Sequence, residues 1–339
     1  MTDFENLAQL RGAIETTLGA LIPRDRPCAL VDFPNYTNVG DSAIWVGERA
    51  VLDDLEVDVG YTADRTSFRR RTLERRVGRG PILITGGGNF GDLWPAWQEF
   101  REEVVTAFPK NRIIQLPQSI HFAATESLDR ARAGLQGHPD FVVLVRDLAS
   151  LKTAREDLCV EASLCPDMAF GLRTLSRPGP PETEILWLGR DDRERLHRPQ
   201  AGQDIEIADW LEEPESALQS ANVLLVRLVG RSSGGIDRLA TKALEATYDR
   251  LAQRRLGRGC SLVASARVVI TDRLHAHILC VLLGIPHVLL DNSYGKVRGF
   301  YEAWTSECSF VQWAGSTDDA VIQARALLAE DASETARAL

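Results

Sequence analysis

Short runs of nearly uninterrupted apolar residues recur along the chain, each closed by a polar or glycine-rich turn, and between them apolar positions return at helical spacing. CALVDF (28–33), PILITGGGNFGDLW (81–94), RIIQLPQSIHF (112–122) and FVVLVRDLAS (141–150) are such runs, and VDVGYTAD (57–64) is a weaker one. Continuous apolar character predicts strands covered on both faces, and their alternation with helices predicts a parallel, doubly wound sheet. The polar ends of the runs should then gather at the carboxyl edge, where open α/β sheets bind ligands.

RPGPPET (177–183) can continue neither a helix nor a central strand and predicts a linker. Beyond it a second alternation begins with EILWLGRDD, DIEIADW and NVLLVRLVG as strands, then a helix over 237–255. The fullest unit follows, VVITDRLHAHILCVLLGIPHVLLD (268–291): strand, turn, helix, a stop at Gly284 and Pro286, and a further buried strand. The expected organisation is a first Rossmann-like domain over 1–176, the linker, a second over 184–315, and a final amphipathic helix over 316–339 packing back on the first domain.

The length suits two domains, and 44% hydrophobic with 26% charged residues describes an ordinary globular chain. A net charge of −9 argues against nucleic acid as a partner but leaves room for a local basic pocket. The six cysteines form no CxxC pair and fall mostly in apolar runs, which predicts a reduced, cytoplasmic protein. The first residues read as an amphipathic helix, not a signal peptide, and no apolar span is long enough to cross a bilayer. Seven arginines between Arg65 and Arg79 are either a solvated helix face or a surface for an anionic partner.

Thr271, Asp272, Arg273 and His275 crowd the first turn of the helix in the 268–291 unit, where free N–H groups and the helix dipole favour an anion. Arg273 can clamp a carboxylate or phosphate and His275 can move a proton, although helix capping and ordinary ion pairing are the alternatives. Arg146 closes a strand and its neighbour Asp147 points to the opposite face, so Arg146 is expected to reach the same crevice. Gly86, Gly87 and Gly88 either serve a tight turn or present N–H groups to an anion; neither GxGxxG nor a P-loop lysine is present. Asp41 is a general base or a cap, Asp92 a cap or an acceptor contact, and Asn38, Asn89 and His121 stand at the same edge. Trp94, Trp97, Tyr294 and Tyr301 can stack on sugar rings or anchor packing. Lys296, in DNSYGKVRGF, is a phosphate contact or an exposed loop charge.

NVGDSAIW, ITGGGNFGDLW, LVRDLAS and TDRLHAHILCVLLGIPHVLLDNSYGK, in that order, resemble the polysaccharide pyruvyl transferase family, and within it the bacterial exopolysaccharide pyruvyl transferases. The resemblance spans roughly 38–296 and has no matching motif over about 175–255. It implies two Rossmann-like domains facing a cleft, as in GT-B glycosyltransferases, with phosphoenolpyruvate as donor; ketal chemistry requires no metal or further cofactor, and no HxH or carboxylate cluster in the sequence asks for one. It further implies a pyruvate ketal formed across two hydroxyls of a sugar or lipid-linked oligosaccharide, with peripheral association with inner-membrane polysaccharide assembly proteins. His275, Arg273 and Asp41 are then the catalytic candidates. Arg146, Arg273, Lys296 and Gly86 to Gly88 would hold the donor, and Asn38, Asn89, Asp92 and His121 the acceptor. A nucleotide-sugar glycosyltransferase and a non-catalytic glycan-binding or assembly protein are the rival readings.

Overall fold

The computed structural model describes residues 3–192, 194–200, 202–231 and 237–338. Its strands fall into two sheets whose pairings are all parallel between named strands. The first holds β1 (Cys28–Val31), β2 (Val59–Ala63), β3 (Ile82–Ile84), β4 (Gly87–Gly91), β5 (Ile113–His121), β6 (Phe141–Val145) and β7 (Glu161–Leu164), in the order β2-β1-β3-β5-β6-β7 with β4 on β5. The second holds β8 (Thr183–Leu188), β9 (Ile205–Ala208), β10 (Ala266–Thr271), β11 (His287–Leu289) and β12 (Val311–Trp313), in the order β12-β11-β10-β8-β9.

The helices are α1 (Asp3–Leu21), α2 (Val39–Asp54), α3 (Arg70–Val77), α4 (Pro95–Ala107), α5 (Thr125–Leu135), α6 (Leu148–Lys152), α7 (Ala217–Arg231), α8 (Asp237–Ala264), α9 (Leu274–Leu283), α10 (Lys296–Phe300) and α11 (Thr317–Ala338). None of the described helices is long and apolar enough to cross a membrane. Local chemistry sets several ends: Asn38 caps α2 through the Gly40 N–H, Asp147 caps α6, and Gly284 closes α9 at φ 64°.

Three expectations change. NVLLVRLVG is not a strand but the heart of α7, because a short apolar run has no period of its own and packing against α8 decides it. Helix α8 runs on to Ala264, and α11 packs on β8, β10 and β11 of the second sheet instead of returning to the first. Strand β7, polar and short, was outside the apolar pattern altogether.

Helices α2, α8 and α9 pack on one another, and one continuous core joins them to strands of both sheets. Gly47 lets α2 touch the Met168 backbone, where a Cβ would sit 1.9 Å from its carbonyl oxygen, and Gly259 lets α8 meet Val39. Trp45 is fully buried there and donates to Asp249 at 2.9 Å. Each sheet reverses its winding once, between β1 and β3 in the first and between β8 and β10 in the second. Ligands of doubly wound sheets bind outside the carboxyl ends at such points, so the loops after these four strands are where chemistry is expected.

Candidate active site

Loops from both reversal points line one cavity of about 230 Å³. Tyr36, Asn38 and Asp41 follow β1, and Gly88 and Asn89 belong to the segment after β3. Arg190, Asp192 and Glu194 follow β8, and Arg273, Leu274 and His275 follow β10. Arg146, Lys296, Leu211 and the aromatic rings of Trp94, Trp97 and Trp210 complete the wall.

At the centre stands a triad, two of its members buried and the third, His275, partly open to the cavity. Arg146 and Asp167 are both fully buried and ion-paired through Arg146 Nη1 and Asp167 Oδ2. His275 Nε2 lies 3.5 Å from the same carboxylate oxygen and 3.4 Å from Arg146 Nη1. Burial alone would raise the Asp167 carboxyl, but the Arg146 guanidinium and the His275 imidazole outweigh it and hold it well below the usual carboxylate range. Arg146 Nε donates to Ser119 Oγ at 3.0 Å, whereas its buried Nη2 has no hydrogen-bond partner among the described residues. A Cβ on Gly88 would lie 3.1 Å from that Nη2 and 3.3 Å from Lys296 Nζ, so the bare glycine backbone and two cations meet at one point. The Arg146 carbonyl accepts from Trp304 Nε1 at 2.8 Å, which fixes the arginine's backbone from the second half of the chain.

The other cations carry partners. Arg273 donates through Nε to the Gly189 carbonyl at 2.8 Å and through Nη2 to Asp209 at 2.6 Å. Lys296 pairs with buried Glu194, which Arg190 also meets at 3.0 Å. Burial would raise the Glu194 carboxyl, yet Lys296 and Arg190 hold it below its ordinary value. Asp272 stays raised to about 6, since burial outweighs Arg190 and Arg273, and its Oδ1 lacks a partner among the described residues.

On the opposite wall Asp41 Oδ2 accepts from Tyr36 Oη at 2.9 Å and Asn38 Nδ2 at 2.7 Å. Asp32 follows β1 in a left-handed conformation at φ 72°, is 4% exposed, and has an Oδ1 without a partner among the described residues. Burial, with Asp41 and Asp64 nearby, pushes its carboxyl up to about 8 despite Arg101 and Arg65.

The cavity therefore gathers Asn38, Asp41, Gly88, Asn89, Arg146, Arg273, His275 and Lys296. It leaves out four expected residues. Gly86 spends its N–H on Glu48 Oε1 at 2.8 Å, and Gly87 opens strand β4, so the glycine stretch is sheet backbone from which only Gly88 reaches the cavity. Asp92 caps the chain entering α5, accepting from the Ala123 and Ala124 N–H groups at 2.9 and 2.8 Å. His121 stacks on Tyr294 with ring centroids 4.6 Å apart. Arg190, Asp192 and Glu194 were missed although they follow a strand-like run, and the carboxyl-edge rule that singled out Arg146 would have found them. Asp167 had no such signal, because β7 before it is polar and short.

The family model for polysaccharide pyruvyl transferase matches residues 38–294. Pyruvyl transferase 1 of Schizosaccharomyces pombe is 33% identical over 314 residues, covering 89% of this chain and 75% of that one. The putative pyruvyl transferase EpsO of Bacillus subtilis is 28% identical over 84% of this chain and 87% of its own length. In fold, an uncharacterized protein of Klebsiella pneumoniae superposes with a TM-score of 0.57 at 17% identity, over 91% of this chain and 99% of its own.

Proposed function

The chain belongs to the polysaccharide pyruvyl transferase family, and from that premise we propose that it moves the pyruvyl group of phosphoenolpyruvate onto two hydroxyls of a sugar. The observation that carries this reading is the unpartnered, fully buried Arg146 Nη2, which meets Lys296 and the Gly88 backbone on a cavity shared with His275. A buried cationic donor left open on a cavity favours an anion, and this donor substrate brings two anionic groups.

In the proposed sequence His275, supported by ionised Asp167, gives a proton to the methylene carbon, which becomes the methyl group. One sugar hydroxyl attacks the resulting cationic carbon and its proton passes to Asp41. The carbon–oxygen bond to phosphate then breaks, and the second hydroxyl closes the ketal. Of the two hydroxyl protons, one replaces that spent on the methyl group and the other leaves with phosphate or to water. Tyr36, Trp94 and Trp97 would receive the apolar face of the acceptor ring beside Asp41.

The test is incubation with phosphoenolpyruvate and a panel of glycosides, lipid-linked ones included, following phosphate release and product mass. The expected product gains pyruvic acid less one water and loses it in mild acid. Tight binding of a nucleoside diphosphate without any phosphoenolpyruvate turnover would instead establish a glycosyltransferase.

A further inference from the structure

Helix α7 presents apolar residues on its outward face as well as on its inner one. Its inner face, Asn222, Leu225, Val226 and Val229, turns toward the protein. Its outer face shows Val223 48%, Leu224 58% and Leu228 47% exposed, and Leu239 at the start of α8 is 78% exposed. An apolar run on both faces is why the segment reads as a buried strand in the sequence, and the structure covers only one of them. Four of the eight large hydrophobic residues that the described surface exposes lie on this helical pair, which makes the patch unusual for solvent.

The surroundings are basic although the chain as a whole is acidic. Helix α7 holds no acidic residue and carries Arg227 on the exposed face, and Lys242 is exposed one turn beyond Leu239. Helix α3 stands alongside: Arg76 pairs with Glu245 of α8 at 2.7 Å, and Arg69 and Thr72 line a small cleft with Val229, Thr241 and Leu244. Its Arg70 and Arg71 are exposed, and two acids at this junction whose side chains are described, Glu74 and Glu245, already meet Arg70 and Arg76.

We propose that the outer face of α7, with the start of α8 and the arginines of α3, docks the protein on an anionic lipid surface. Leucines entering the acyl boundary between basic side chains at headgroup level are the chemistry such a surface binds. Self-association through the same face is disfavoured, since a two-fold contact would bring two basic patches together. This inference is independent of the transfer reaction and gives the arginine-rich segment a partner that the catalytic cavity does not supply.

The test is co-sedimentation of the full chain with vesicles of phosphatidylcholine alone and of phosphatidylcholine with phosphatidylglycerol. Binding is expected only to the anionic vesicles, and should weaken as salt is raised. Leu224→Gln with Leu228→Gln should lower it about tenfold or more. Arg71→Gln with Lys242→Gln should remove most of the salt-sensitive part. All four positions are exposed, and unchanged thermal melts would show that the variants fold. Absence of binding to the anionic vesicles overturns the proposal. So does a dimer seen by light scattering that the leucine substitutions dissolve, which would make this face a contact between copies.

Discussion

Replacing Asp167 by asparagine is the most discriminating change available, because shape is kept and one charge is removed from the centre of the cavity. The new side chain can still accept from the Ala169 N–H, now 2.8 Å from Asp167 Oδ1, so the turn at 168–171 keeps its cap. Its amide nitrogen would face the Arg146 Nη1 donor and His275 Nε2 where the carboxylate stood. Breaking a buried pair by removing one partner costs roughly 3–5 kcal/mol. The low end is expected here, since Arg146 keeps Ser119 and stands on a cavity. The attraction between Asp167 and a protonated His275 at 3.5 Å amounts to roughly 5 kcal/mol at an effective dielectric of 20. The open cavity screens much of that, and a remaining loss of about 1.4 kcal/mol in transition-state support would lower kcat about tenfold. Phosphoenolpyruvate should bind as well as before or better, because Arg146 loses its internal counter-charge. The assays are urea unfolding and steady-state kcat and KM for phosphoenolpyruvate. A variant with unchanged kcat would refute the role assigned to the triad, whatever its stability.

Three further outcomes follow from the same geometry. A Cβ on Gly40 would sit 2.3 Å from His275 Nδ1 and 2.9 Å from its Cβ, so Gly40→Ala should displace the imidazole and lower kcat about a hundredfold, at a cost of about 1–3 kcal/mol in urea unfolding. Trp304→Phe keeps the ring but loses the bond to the Arg146 carbonyl, and should cost about 1 kcal/mol in urea unfolding with a raised KM for phosphoenolpyruvate. Burial raises the Asp32 and Glu48 carboxyls to about 8 in the folded protein. Between their ordinary range and that value the folded state holds more protons than the unfolded one, so stability is greatest at the acid end and falls as pH rises. The slope reaches at most about 1.4 kcal/mol per pH unit for each group, and Glu48→Gln should flatten it in unfolding titrations from about pH 5 to 8.

The sequence by itself determined the strands that carry most of the site, because a run buried on both faces leaves an unbroken apolar signature and its polar end must fall at the sheet edge. Arg146 after β6 and the Arg273–His275 turn after β10 were legible for that reason. Order along the chain also placed Asp41 and Gly88 at edges, but not at the same edge position as each other or across from His275. Tertiary structure alone decided that the two winding reversals share one cavity, and that Asp167 joins Arg146 to His275 across more than a hundred residues. It also decided that Arg273 and Lys296 come with their own carboxylates while one nitrogen of Arg146 is left open, and that α7 is a helix with a bare face. Charge pairing and burial depend on what the rest of the chain brings within a few ångströms, and local pattern holds no record of those distances.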